Sequence, residues 1–190
     1  MMQRRTFLTA AVAPLLSARS MAAGNRLRVG QPVPMFETVS LQGQPVSLES
    51  AIRDHKAVII LFTSTVCPYA NYFAPHVREL SETFESRGAL VIGVNSNNWE
   101  SRQDVLDHIR ERRFSFPMVK DEGHVIADLF EASRTPEAFL VDGSGRLRYQ
   151  GWVKSKQESP DLQRALEDVL AGRPVRRPVT KAFGCAVDRF

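Results

Sequence analysis

The chain has 190 residues, 43% hydrophobic and 24% charged, which excludes a disordered or collagen-like protein and provides for an ordinary core. Two cysteines are too few for a disulfide-dense scaffold. The net charge of +4 and pI near 9.4 lose their meaning once Arg4, Arg5 and Arg19 are set aside. These sit in a leading segment, residues 1–23, that has no acid, and the rest carries about one net positive charge, with no basic patch for a phosphate backbone. No nucleic-acid partner is expected.

That leader reads MMQRRTFLTAAVAPLLSARSMAA: paired arginines, an apolar run, then small residues. The order is that of an export signal of the twin-arginine type, with cleavage near Ala22 or Ala23. The run from Phe7 to Leu16 is about half the roughly 20 residues a bilayer crossing needs, so no stable membrane anchor is expected. A protein exported to a bacterial periplasm keeps its thiols where disulfides persist. An uncleaved amphipathic N-terminus is the alternative.

In the remaining chain, Phe36–Ser40 and Pro45–Ser47 flank Gln42-Gly43 and suggest an entry hairpin. Ala57–Phe62 (AVIILF) and Ala89–Val94 (ALVIGV) are continuous apolar runs, as in strands covered on both faces. Between them Tyr69 to Ser86 reads as a helix with Phe73, Val77, Leu80 and Phe84 on one stripe, interrupted by Pro75 and stopped by Gly88. Ser101–Arg112 is a second helix, capped by Ser101 with Asp104 three residues on. A short strand at Phe116–Val119 and a short helix at His124–Phe130 follow. Glu137–Val141 and Leu147–Gly151 are strands joined by the turn Asp142-Gly143-Ser144-Gly145. A last helix runs from Pro160 to Ala171, before Gly172, and residues 173–190 form an extended strap. The expected order, β-α-β-α-β-α-β-β-α, describes an α/β fold over residues 24–172 with a central mixed sheet between helices.

Cys67 follows the first central strand and opens the next helix, with Pro68 at the first helical position. Unpaired N–H groups and the helix dipole favour a thiolate there. An ordinary thiol of pKa about 8.5 is about 3% ionised at pH 7, whereas one lowered to about 6 is about 90% ionised. A buried, inert cysteine is the plainer alternative. Ser64, three residues earlier, offers a hydroxyl to the thiolate or to a peroxide oxygen, or is simply a turn serine. His55, His76, His108 and His124 show no metal-ligand spacing.

Ser64-Thr65-Val66-Cys67-Pro68-Tyr69-Ala70, Asn95-Ser96-Asn97, Arg134-Thr135-Pro136-Glu137 and Phe183-Gly184-Cys185 together resemble a redoxin family, the peroxiredoxin-like branch of the thioredoxin superfamily related to AhpC/TSA proteins. The resemblance runs from about Val29 to Val187 and implies a thioredoxin-like fold with Cys67 reactive. It implies a cis Pro136 against Cys67, with Thr135 offering its backbone to an extended substrate, although an X–Pro bond read alone is usually trans. Arg134 is the candidate for stabilising the thiolate. The pattern also departs from its relatives. Set against Cys-x-x-Cys, the first position falls on Ser64, leaving no local dithiol, and Ile60 stands where peroxiredoxins have a proline.

Cys185 is the candidate resolving cysteine. From Ala171 the strap spans up to about 46 Å when extended, against a domain radius of gyration near 15 Å, so distance allows the pair. A free or intermolecular thiol, or a static bridge, is the alternative. The reading is an exported thiol oxidoreductase reducing a peroxide, slightly favoured, or a protein disulfide, with electrons from an external thiol reductant and no metal, flavin or nucleotide. The rival is a non-catalytic thioredoxin-like module that binds a partner or a soft metal through Cys67.

Overall fold

The computed structural model describes residues 27–154 and 160–189, so the expected leader lies outside the described residues. Two strands, β1 (Glu37–Val39) and β2 (Pro45–Ser47), pair as the entry hairpin. Ser47 then accepts a hydrogen bond from Ser50 N–H and caps α1 (Leu48–Asp54), a helix that the sequence reading did not include. Its signal is short: Leu48, Ala51 and Ile52 are its buried face, barely two turns.

The central strand β3 (Ala57–Phe62) lies in a five-stranded sheet ordered β5-β4-β3-β7-β8. It is parallel to β4 (Ala89–Asn95), which is parallel to β5 (Met118–Lys120). It is antiparallel to β7 (Glu137–Asp142), which pairs with β8 (Leu147–Gly151) across the expected turn. All six residues of β3 are buried, because both faces are covered. Ala57, Ile59 and Leu61 join one core, under α2 (Pro68–Glu85), α3 (Arg102–Arg112) and α5 (Asp161–Leu170). Val58, Ile60 and Phe62 join the other, under α1 and α4 (Val125–Leu129). Each of the larger of these side chains, Val58 to Phe62, contributes about 1.5–3 kcal/mol on burial. The mixed sheet between helices is the expected architecture.

Two boundaries differ from expectation. Pro75 lies inside α2 without breaking it: it faces solvent, and the cost is one missing donor to the carbonyl four residues back. His124 does not begin a helix but closes a short 3-10 turn, Glu122–His124, ahead of α4. The strap after Gly172 is tied down along its length. Arg173 binds Asp168 at 2.9 Å, Thr180 N–H donates to Gln150 O at 3.0 Å, and the Thr180 hydroxyl meets Tyr149 Oη at 2.7 Å. The strap ends as a small strand, β9 (Cys185–Ala186), antiparallel to β6 (Arg134–Thr135).

Candidate functional site

At the end of β3 the chain turns through residues 63–66 into α2, and Cys67 is the N-cap residue. Its side chain is fully buried. No side chain caps this helix end, so the first-turn N–H groups and the positive end of the dipole face the sulfur. The thiol lies 2.9 Å from the Thr135 carbonyl oxygen, to which it donates when protonated. The Thr135–Pro136 bond is cis, as the resemblance implied.

Cys185 sits directly opposite Thr135 in the β6–β9 register. The strap therefore brings the second thiol to the same strand pair as the first: neither is in a disulfide, and each shifts the ionisation of the other. Burial opposes ionisation of Cys67, but the Cys185 thiol, the N–H groups of Ala70 and Cys185, and the Thr135 hydroxyl outweigh it and bring its pKa below that of an ordinary thiol. That Thr135 hydroxyl is buried with no hydrogen-bond partner among the described residues, so it is free to turn toward a Cys67 thiolate. Cys185 moves the opposite way, pushed up to about 11 by burial and by the hydrogen bond and charge of Cys67. Of the two sulfurs Cys67 is the more readily ionised.

Ser64 is buried, and its hydroxyl is already committed. It donates to Glu100 Oε1 at 2.6 Å and accepts from the N–H groups of Cys67 at 3.1 Å and Val66 at 3.3 Å. It shapes the turn that presents Cys67 and has no proton left for a thiolate or a peroxide. Arg134 is exposed beside the strap, and its charge favours ionisation of Cys185 and Glu137. Neither Ser64 nor Ala70, the positions three residues to either side of Cys67, is a cysteine, so there is no local dithiol. Among the described residues no group of three or more His, Cys, Asp or Glu has a metal-holding arrangement.

The sequence reading passed over Glu100. It is buried, with Oε1 accepting from Ser64 and from the Asn97 amide at 2.5 Å, and Oε2 accepting from Thr65 N–H at 2.6 Å and the Asn95 amide at 2.8 Å. Burial opposes its charge, but these bonds hold its pKa below the usual carboxylate range. Lys120 Nζ donates to Asn95 Oδ1 at 2.9 Å and to the Asn97 carbonyl. An acid next to the Ser101 cap looks like solvent-facing charge in one dimension. Only Asn95-Ser96-Asn97, within the resemblance, pointed near it.

The AhpC/TSA family matches residues 29–150. A thiol-disulfide oxidoreductase ResA from Bacillus thuringiensis subsp. konkukian is 22% identical over 144 residues, covering 76% of this chain and 80% of that protein. Among solved structures, a hypothetical protein from Sinorhizobium meliloti is similar with TM-score 0.80 and 24% identity over 87% of this chain and 97% of the other. Peroxidoxin BcpB from Mycobacterium tuberculosis is similar with TM-score 0.60 and 20% identity over 77% of this chain and 96% of the other. The fold is thioredoxin-like. With the family match spanning well over half its length, the chain belongs to the AhpC/TSA family.

Proposed function

We propose that the protein is a thiol-disulfide oxidoreductase whose working pair is Cys67 and Cys185. The observation that supports it is the β6–β9 register, which sets Cys185 opposite Thr135, the residue whose carbonyl oxygen lies 2.9 Å from the Cys67 sulfur. In the reductive direction the Cys67 thiolate attacks one sulfur of a substrate disulfide, forming a mixed disulfide and expelling the other sulfur as a thiolate, which takes a proton from solvent. Cys185 then loses its proton and attacks Cys67 Sγ, releasing the second substrate thiol. The substrate disulfide is reduced by two electrons and the pair is oxidised to Cys67–Cys185. An external thiol reductant restores the dithiol. Thr135 and Pro136 form the wall against which the substrate sulfur lies.

Disulfide exchange takes precedence here over peroxide reduction. The Ser64 hydroxyl is spent on Glu100 and two backbone N–H groups, and Arg134 is exposed beside Cys185, so neither is left to activate a peroxide oxygen. The leader MMQRRTFLTA with its following apolar run supports export to a disulfide-permissive compartment, and no described helix is long and apolar enough to cross a membrane.

Titration of the reduced protein with dithiobis(nitrobenzoate) tests the pair. The parent should release two thionitrobenzoate anions per chain and keep no label, whereas Cys185→Ser should release one and keep one on Cys67. A parent that keeps label on both cysteines refutes the pairing. Oxidation by hydrogen peroxide much faster than that of free cysteine would return the peroxide reading to first place.

A further inference from the structure

The strap does more than carry a thiol. Its last described residues cross the site as an extended strand with the hydrogen bonds of a bound peptide. Arg134 pairs with Ala186 and Thr135 with Cys185. Val187 N–H donates to Ser133 O at 3.1 Å, and Asp188 N–H donates to Asn97 Oδ1 at 2.8 Å. His124 Nε2 lies 2.7 Å from the Asp188 carbonyl oxygen. Upstream, the Phe183 ring packs edge-on against Tyr69 at 5.3 Å and Trp152 at 5.9 Å. Gly184 fits so closely that a Cβ there would lie 2.1 Å from the Thr135 carbonyl oxygen. Beneath this strand Cys67 has no exposed surface, while Cys185 and Ala186 are exposed.

This terminal strand pairs over two residues outside the five-stranded sheet and has solvent on its outer side, a local element whose opening leaves that sheet intact. We propose that this strap is a removable cover: residues Gly184–Asp188 occupy the edge at Ser133–Thr135 that an extended polypeptide would use, and a polypeptide thiol or disulfide reaches Cys67 only by displacing them. The proposal deepens the thiol-disulfide reading and rests on it. The same movement withdraws Cys185, so Cys185 attacks the mixed disulfide on Cys67 only once the client backbone has cleared the edge and the strap has returned, and that attack releases the client thiol. The returning strand is sensed at the thiol turn, because Asn97 accepts from Asp188 with its carbonyl oxygen and donates to Glu100 with its amide, and Glu100 holds Ser64 and Thr65.

Gly184→Ala forces a Cβ into the Thr135 carbonyl, and Val187→Pro deletes the donor to Ser133. Both lie outside the two cores. The rate of Cys67 alkylation by iodoacetamide, resolved by mass spectrometry and taken on the plateau of its pH profile so that ionisation drops out, should rise by about tenfold or more in each variant. That is the gain expected if the parent strap is closed at least nine-tenths of the time. The hexapeptide Phe-Gly-Ser-Ala-Val-Asp should slow alkylation in Gly184→Ala and leave the parent unaffected. Parental rates in both variants, or a peptide without effect on Gly184→Ala, overturn the cover. If the variants become reactive while the parent keeps nitrobenzoate label on both cysteines, the cover stands and the redox pairing falls; a working pair with unchanged alkylation rates gives the reverse.

Discussion

Replacing Glu100 with glutamine keeps the shape of the side chain and removes one carboxylate oxygen. Four donors converge on the parent carboxylate: the Ser64 hydroxyl, the Thr65 N–H and the amides of Asn95 and Asn97. With one oxygen left, two of these face an NH2 group. A buried donor without an acceptor costs about 1–3 kcal/mol, so Glu100→Gln should lose about 2–6 kcal/mol, a large part of the roughly 5–15 kcal/mol of a typical domain. At about 2–4 °C per kcal/mol for a chain of this size, the melting temperature should fall by about 4–24 °C. Because the Glu100 carboxyl is held below its ordinary range, its contribution is fully present above the unfolded value near 4.3 and is lost as pH falls through the folded one. Urea unfolding of parent and variant from neutral to acidic pH should therefore show two midpoints that converge in acid. A neutral-pH loss below about 1 kcal/mol, or a difference that fails to narrow in acid, refutes the ionised four-donor arrangement.

Three further outcomes follow from the same geometry. Oxidation of Cys67 to Cys185 closes a loop of more than a hundred residues and should stabilise the protein by about 4–5 kcal/mol by the chain-entropy relation, read as a urea midpoint that drops on adding dithiothreitol; an unchanged midpoint argues against the bridge. Alkylation followed across pH should resolve two waves, Cys67 below the ordinary thiol range and Cys185 near 11. Cys185→Ala should raise the Cys67 midpoint by removing a donor to its thiolate, and a single common wave in the parent would contradict the assignment. Gly93→Ala places a Cβ 2.0 Å from Met118 Sδ in the core of β4, an overpacking cost of about 1–3 kcal/mol that urea midpoints should register; a variant as stable as the parent would mean that Met118 moves aside freely.

What the sequence made legible divides by length scale. The runs 57–62 and 89–94 announced buried strands because each strand is covered on both faces, and the Ser101–Asp104 capping box announced α3 because its bonds are local. Helix α1 and strands β6 and β9 escaped: seven residues, or two, are too short to show a period. Cys67 stood out because a cysteine followed by proline after a strand marks a helix start. The place of Cys185 is fixed by the pairing of β9 with β6, which chain length could permit but not select. Of the two readings open for Ser64, spacing alone could not choose, since the acceptor of its hydroxyl, Glu100, is 36 positions along the chain.

The asymmetry between the two sulfurs assigns a direction to each half of the cycle. When Cys67–Cys185 is the disulfide, an incoming thiolate can attack either sulfur, and the choice depends on access and on the leaving group. Cys185 is the exposed one. Attack there expels Cys67, whose thiolate is met by the Ala70 N–H and the Thr135 hydroxyl, whereas attack on Cys67 must reach a buried atom and expel Cys185, whose thiolate desolvation disfavours. Both factors point to Cys185, so on the proposed cycle the reductant is expected to enter through the strap while the substrate disulfide is opened by Cys67. A dithiol reductant with its second cysteine replaced by serine should be trapped on Cys185, leaving Cys67 open to alkylation, and peptide mapping of the trapped species reads this directly. A reductant trapped on Cys67 would show that burial does not protect that sulfur in the oxidised form, and the division of labour between the two thiols would have to be reversed.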